Sequence, residues 1–230
     1  DIVSCFVLGN IYQPVHMGEI QNKGLGLNVD IFNDKGKPIK NSKGELVCKN
    51  PFPTMPLKFW NDRNDNKFKD AYFNRFSNIW HHGDFAEIKK TRGFVIHGRS
   101  DTTLNPGGVR LGTAEIYSEV EKFKEIKESL VVGQSWDNDV RIVLFVVMNT
   151  KFLLSENLLK KIKIQIRKNA SPRHVPSKVI VVKDIPRTKS GKIVELAVKN
   201  TLEGNKIKNK EALANPKALE QFKNLKELNN

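Results

Sequence analysis

Three short stretches hold the residues whose types and spacing could do chemistry. Pro186–Lys192 reads PRTKSGK and sets Lys192 directly behind Gly191, on a turn between two apolar segments. Gly98–Tyr117 reads GRSDTTLNPGGVRLGTAEIY and combines Arg99, Arg110, the acidic Asp101, the adjacent Gly107 and Gly108, and a helix start. Upstream of it, Trp80–Asp84 reads WHHGD. A glycine before a lysine suggests a phosphate-cradling P-loop, GxxxxGK[ST]. Here Pro186 stands where that motif needs its first glycine, and Ile193 stands where it needs a hydroxyl for Mg²⁺, so the P-loop is excluded. What remains is an ammonium group on a Ser-Gly turn, expected to be mobile and able to reach into a neighbouring site. A plain solvated loop lysine is the competing reading.

The order GD, GRxD, GxRxxxxEI, then PxTxSGK is far more specific than any one of its parts. In that order the sequence resembles the adenylate-forming superfamily of acyl-CoA synthetases, peptide-synthetase adenylation domains and luciferases. DIVSCFVLGN, NPFPTMPLKFWND, RHVPSKVIVVKDIP and NPKALEQF carry the resemblance over essentially the whole chain, as the C-terminal third of such an enzyme.

The resemblance implies roles residue by residue. Asp84 would bind the ribose hydroxyls of ATP or AMP, with Arg99 also at the ribose; a carboxylate can accept both hydroxyl protons. Arg110 would serve the nucleotide phosphates, where a planar fork fits. Gly107 and Gly108 would line the path of the CoA thiol, and Arg167 would lie near the CoA phosphates. Asp101 would be the hinge between a large N-terminal and a small C-terminal domain. Lys192 would stabilise charge during adenylation. Asp1 stands where the family has a Glu that helps hold Mg²⁺. The implied reaction activates acetoacetate with ATP and passes it to CoA, releasing AMP and diphosphate. The family's Ser/Thr-Gly-rich phosphate loop and the bulk of its carboxylate pocket have no counterpart in the 230 residues. The chain is therefore expected to be inactive alone.

The elements that must position these residues read as α+β. Residues 1–99 look like short strands and turns, a small β-barrel or sheet at the end of a nucleotide-binding domain. Strands are expected at Ile2–Leu8, Leu25–Phe32 and Gly44–Cys48, with a hairpin from Phe85–Ile88 to Phe94–His97 and an irregular connection through Pro51, Pro53 and Pro56. Residues 100–204 look like a compact, mobile α+β domain. Thr113 is expected to cap a helix bearing Ile116, Val120 and Phe123, and Ser155 one bearing Leu158, Ile162 and Ile166. Ser129–Gly133, Val140–Met148 and Val179–Val182 read as strands, the second central because it is apolar on both faces. A third helix is expected over Ile193–Leu202. Residues 205–230 read as a basic extension with a helical patch near Ala218–Leu225.

Composition narrows the classes. The formal charge is +14, and from Lys160 onward 18 Lys/Arg face 6 Asp/Glu. A basic tail can bind polyanions, but no aromatic platform interleaves with its lysines as a single-strand binder needs, and no specific nucleic acid partner is expected. The rival reading is a non-enzymatic domain binding a partner or polyanion through this tail; a nearer one is another short-chain acyl-CoA ligase. Cys5 and Cys48 form no CxxC or Cys/His cluster, which argues against a zinc module and fits a reducing, cytoplasmic compartment. His81, His82, His97 and His174 show no metal-ligand spacing with carboxylates. The first residue is Asp1, and Ile2–Leu8 reads as a strand already in progress, so a piece of a longer protein is expected.

Overall fold

The computed structural model describes residues 4–207 and 210–229. It divides between Ser100 and Asp101 into two compact units.

The first unit is β-rich. Strands β1 (Val7–Leu8) and β2 (Asn22–Lys23) pair as a short ribbon. Strands β3 (Val29–Phe32), β4 (Lys43–Cys48), β5 (Trp80–Ile88) and β6 (Phe94–Arg99) form an open antiparallel sheet in that order. Of the strand expected over Ile2–Leu8, only Val7–Leu8 pairs; Ser4–Phe6 is not strand, and Ile2 and Val3 lie outside the described residues. Phe6 instead turns inward, onto Phe52, Trp80 and the ring of His82. Helix α1 (Asn66–Tyr72) has no place in the sequence reading, because it is short, polar and buries no residue fully. Aromatic contacts hold it: Tyr72 stacks on Trp80 with ring centroids 3.7 Å apart, and Phe68 and Phe73 flank the same indole.

The second unit is a three-stranded sheet covered on both faces. Strands β7 (Ile126–Trp136) and β8 (Asp139–Met148) form a hairpin. Its two-residue turn is Asp137-Asn138, both at positive φ (50° and 58°), as a tight hairpin turn with matching twist requires. From β8 the chain crosses through α3 (Glu156–Asn169) and returns as β9 (Lys178–Val181), parallel to β8. Helices α2 (Ala114–Val120) and α4 (Glu195–Leu202) complete the unit. In β8, Ile142, Leu144 and Val146 pack with α2 and α3, while Val143, Phe145 and Val147 pack with α4 and the C-terminal segment. That is the period-2 alternation of a strand buried on both sides.

Two expectations about local structure come out differently from each other. Ser155 does cap α3, its hydroxyl accepting from Leu158 N–H at 3.2 Å. Thr113 occupies the N-cap position of α2 but makes no capping bond. Its buried hydroxyl instead favours the charged form of the Glu195 carboxyl.

The segment after Gly204 is basic outside and apolar inside. Leu213, Leu219, Phe222 and Leu228 enter the core, Phe222 meeting Phe145 edge-on at 4.9 Å. Phe145→Ala is expected to lower the unfolding free energy by about 3–5 kcal/mol and Ser155→Ala by about 1 kcal/mol. Urea denaturation checks this; equal losses would contradict the placement of Phe145 in the core on the α4 face of β8.

Candidate active-site residues

In the first unit the site residues sit on a distortion of β5. Glu45 pairs with Phe85 and Val47 with His81, so Leu46 of β4 faces three residues of β5, His82, Gly83 and Asp84. Such a bulge re-aims side chains out of the ladder. Asp84 lies directly opposite Arg99 of β6, whose Nη1 reaches Asp84 Oδ1 and the His82 carbonyl oxygen, each at 3.4 Å. Gly83 makes this approach possible. It stands at φ 83°, and a Cβ there would fall 2.7 Å from Arg99 Nη2.

Behind this pair lies a set of residues that sequence reasoning missed. Glu45 is fully buried; its Oε2 is 2.8 Å from His81 Nε2, its Oε1 is 3.2 Å from Arg75 Nη2, and it accepts from Ser100 Oγ. His82 Nε2 lies 3.5 Å from Asp84 Oδ2, and its Nδ1 lies 3.4 Å from Trp80 Nε1. An indole N–H only donates, so His82 Nδ1 accepts and Nε2 carries the proton facing Asp84. Burial holds the His82 pKa below the ordinary value, with Asp84 partly opposing it. Three further histidines, for which the sequence suggested no partner, also meet carboxylates: His81 meets Glu45, His97 meets Glu87 at 3.3 Å and His174 meets Glu115 at 3.0 Å.

In the second unit two devices stand apart. The loop of Gly107 and Gly108 is pinched at its base where buried Leu104 and Leu111 pair. At its tip Gly107 N–H donates to both oxygens of Asp139, at 2.9 and 3.0 Å. Both glycines have positive φ, and a Cβ on either would meet open space, so backbone conformation selects glycine here. Arg110, on the same loop, places Nη2 3.4 Å from Thr103 Oγ1. Asp101 is exposed at the start of the unit, and Arg167 is exposed in the last turn of α3.

The Lys192 turn is not the loose loop its composition suggested. Thr188 N–H donates to Lys192 O at 2.8 Å, Gly191 N–H to Thr188 O at 2.8 Å, and Lys192 N–H to Thr188 Oγ1 at 3.1 Å. Arg187 donates to Gly191 O and pairs with Glu128, both at 2.8 Å. On its other side Lys189 N–H donates to Ala212 O at 3.0 Å. Lys192 itself is exposed. The backbone is braced and the ammonium is presented.

Among the described residues no group of three or more His, Cys, Asp or Glu is placed to hold a metal ion. Asp1, the position the resemblance offers for Mg²⁺, lies outside them. No described helix is long and apolar enough to cross a membrane.

The chain is similar to known proteins. Residues 115–192 match the family described as AMP-binding enzyme C-terminal domain. The chain is 61% identical to acetoacetyl-coenzyme A synthetase of Rhizobium meliloti over 99% of its own length and 35% of the relative's. It is 47% identical to acetoacetyl-CoA synthetase of Gallus gallus over 100% of its length and 35% of that protein. Its fold matches acetoacetyl-CoA synthetase from Streptomyces lividans with a TM-score of 0.90 and 41% identity, over 95% of this chain and 33% of that one. The chain thus spans about a third of the length of the relatives it matches.

A pH dependence follows from His82. Its folded pKa lies below the ordinary 6.5, so as pH falls through that window the unfolded chain takes up a proton that the folded chain refuses. Stability contributed at neutral pH is therefore lost on acidification from about 6.5 downward to the folded pKa. His82→Gln is expected to flatten that part of the pH–stability curve in thermal unfolding. An unchanged curve would contradict a buried neutral His82.

Proposed function

From the premise that the chain is the counterpart of the C-terminal portion of an adenylate-forming, AMP-binding enzyme, we propose that its residues serve an acetoacetate–CoA ligase. In the first step an acetoacetate oxygen bonds to the α-phosphorus of ATP, and the bond to diphosphate breaks. In the second the CoA sulfur bonds to the acyl carbon, AMP leaves, and the thiol proton is released. Asp84, held by Arg99 and His82, accepts hydrogen bonds from the ribose hydroxyls. Arg110 serves the nucleotide phosphates. Lys192 meets the charge that crowds onto the phosphoryl and attacking oxygens, a task suited to a positioned ammonium. The loop of Gly107 and Gly108 admits the CoA thiol, and Arg167 attracts the CoA phosphates. Mg²⁺ would enter with the ATP phosphates; no described residue is assigned to it.

One observation carries this reading. The thiol loop and the lysine turn are anchored on opposite faces of the same sheet. Leu104 and Leu111, which bracket Gly107 and Gly108, belong to the core on the α3 face. Ile185, Ala197 and Val198, which bracket Lys192, belong to the core on the α4 face. A unit built this way serves two half-reactions in turn by presenting first one face and then the other, and the unit boundary at Ser100/Asp101 supports Asp101 as the pivot. The proposal includes a cytoplasmic, reducing setting, supported by the free thiols of Cys5 and Cys48. It also includes the domain roles: residues 1–99 completing a nucleotide-binding domain, 100–204 carrying the lysine, and 205–230 an extension.

In the full-length enzyme carrying this chain, acetoacetate is expected to support AMP release better than acetate or propionate. Asp84→Ala is expected to raise the KM for ATP roughly tenfold or more, the order expected for a lost hydrogen bond to a charged group. Steady-state assays check both. A preference for acetate or propionate would overturn the acid assignment, and an unchanged KM for ATP would overturn the role of Asp84.

A further inference from the structure

At the outer edge of β7 a chain of hydrogen bonds joins the two faces of the second unit. β7 ends the sheet order β7-β8-β9, so its outer backbone groups need partners from elsewhere. Val131 N–H donates to Tyr117 Oη at 3.0 Å, and that hydroxyl donates to Glu195 Oε1 at 2.5 Å. The hydroxyls of Thr102 and Thr113 also favour the charged form of the Glu195 carboxyl. Tyr117 lies on α2, against one core, while Glu195 opens α4, against the other. The network therefore wraps the sheet edge from face to face.

Its ends are the two places where the proposed reaction needs geometry. Thr102 follows Asp101 directly, and Glu195 comes just after Lys192 on the same continuous stretch. That stretch has no slack. Ile193 pairs with Arg187, and Val194 N–H donates to Pro186 O at 3.2 Å. The cleft around Thr102, Thr103, Gly133, Glu195 and Lys199 holds only about 10 Å³, room for at most one water and for no substrate. A carboxylate placed there costs desolvation and offers nothing to a ligand. The hydroxyls that favour its charge, those of Tyr117, Thr102 and Thr113, come from two elements, and the Tyr117 bond ties α2 to α4.

We propose that Glu195 is a positioning residue for adenylation. It fixes the Lys192 turn in register with the Asp101–Thr103 segment, so that rotation at the pivot is delivered to the ammonium without loss. The inference rests on the reading of Lys192 given above and adds a residue to it.

The test separates the two half-reactions in the full-length enzyme carrying this chain. Acetoacetate-dependent ATP–diphosphate exchange reports adenylation, and discharge of preformed acetoacetyl-adenylate to CoA reports thioester formation. Glu195→Ala is expected to slow exchange roughly tenfold or more, as small misplacements of a catalytic group do, while discharge stays within about twofold. Glu195→Gln, which keeps an acceptor for Tyr117, is expected to recover most of the exchange rate. In the 230-residue chain itself, Glu195→Ala is expected to speed amide hydrogen exchange at Val131 and Lys192. Equal losses in both half-reactions, or exchange unaffected by Glu195→Ala, would overturn the proposal. A Lys192→Ala control separates the failures. If that variant loses exchange and Glu195→Ala does not, only the role of Glu195 falls. If Lys192→Ala keeps full exchange, the reading of Lys192 falls and the role of Glu195 with it.

Discussion

Strand β8 is buried on both faces from Arg141 to Val147, and the second unit is arranged around that constraint. A strand with two apolar faces needs cover on each. The α2/α3 layer supplies one, and α4 with the residues after Gly204 supplies the other. Each layer carries one of the two candidate site segments as a consequence of what it must bury. Leu104 and Leu111 enter one core and hold the diglycine loop between them. Ile185 and Val198 enter the other and hold the lysine turn between them. Opposite placement of the two devices follows from packing.

In the first unit the governing feature is the β5 bulge. A regular ladder would alternate Asp84 and its neighbours strictly across the sheet. Three residues opposite one break that alternation and bring Asp84, His82 and Arg99 together around a glycine that leaves room for the guanidinium. The buried Glu45, paired with His81 and Arg75 and bonded to Ser100, ties β4, β5 and the end of β6 beneath that cluster. Removing any one partner would leave a buried charge less well satisfied, which costs more than the bond itself is worth.

Much of this was legible in the residues. The continuous apolar run in Val140–Met148, the stripe of Leu158, Ile162 and Ile166, and the Ser155 cap are local patterns with local causes, and each appears in the fold. The ordered motifs from Gly83-Asp84 to Lys192 pointed to a family. What could not be read depends on contacts distant in sequence. Helix α1 has no apolar stripe and stands on the ring of Trp80. Thr113 makes no capping bond, and its hydroxyl instead favours the charge of Glu195, 82 residues on. The lysines after Gly204 hid the inward Leu219 and Phe222, whose spacing follows a 3₁₀ turn rather than an α-helix. The Asp139 grip on Gly107 is set by a hairpin turn, since Asp139 is the first residue of β8 after Asp137-Asn138. That turn was the one available signal for it.

The central claim, proposed above, is that the Lys192 ammonium serves adenylation and is not needed for thioester formation. Rapid-quench measurement of acetoacetyl-adenylate formation by the full-length enzyme with Lys192→Ala tests it most directly. The account predicts a fall of about a hundredfold or more in adenylate formation, the scale of a lost transition-state charge contact, with preformed adenylate still passed to CoA. Adenylate formation at the unsubstituted rate would contradict it.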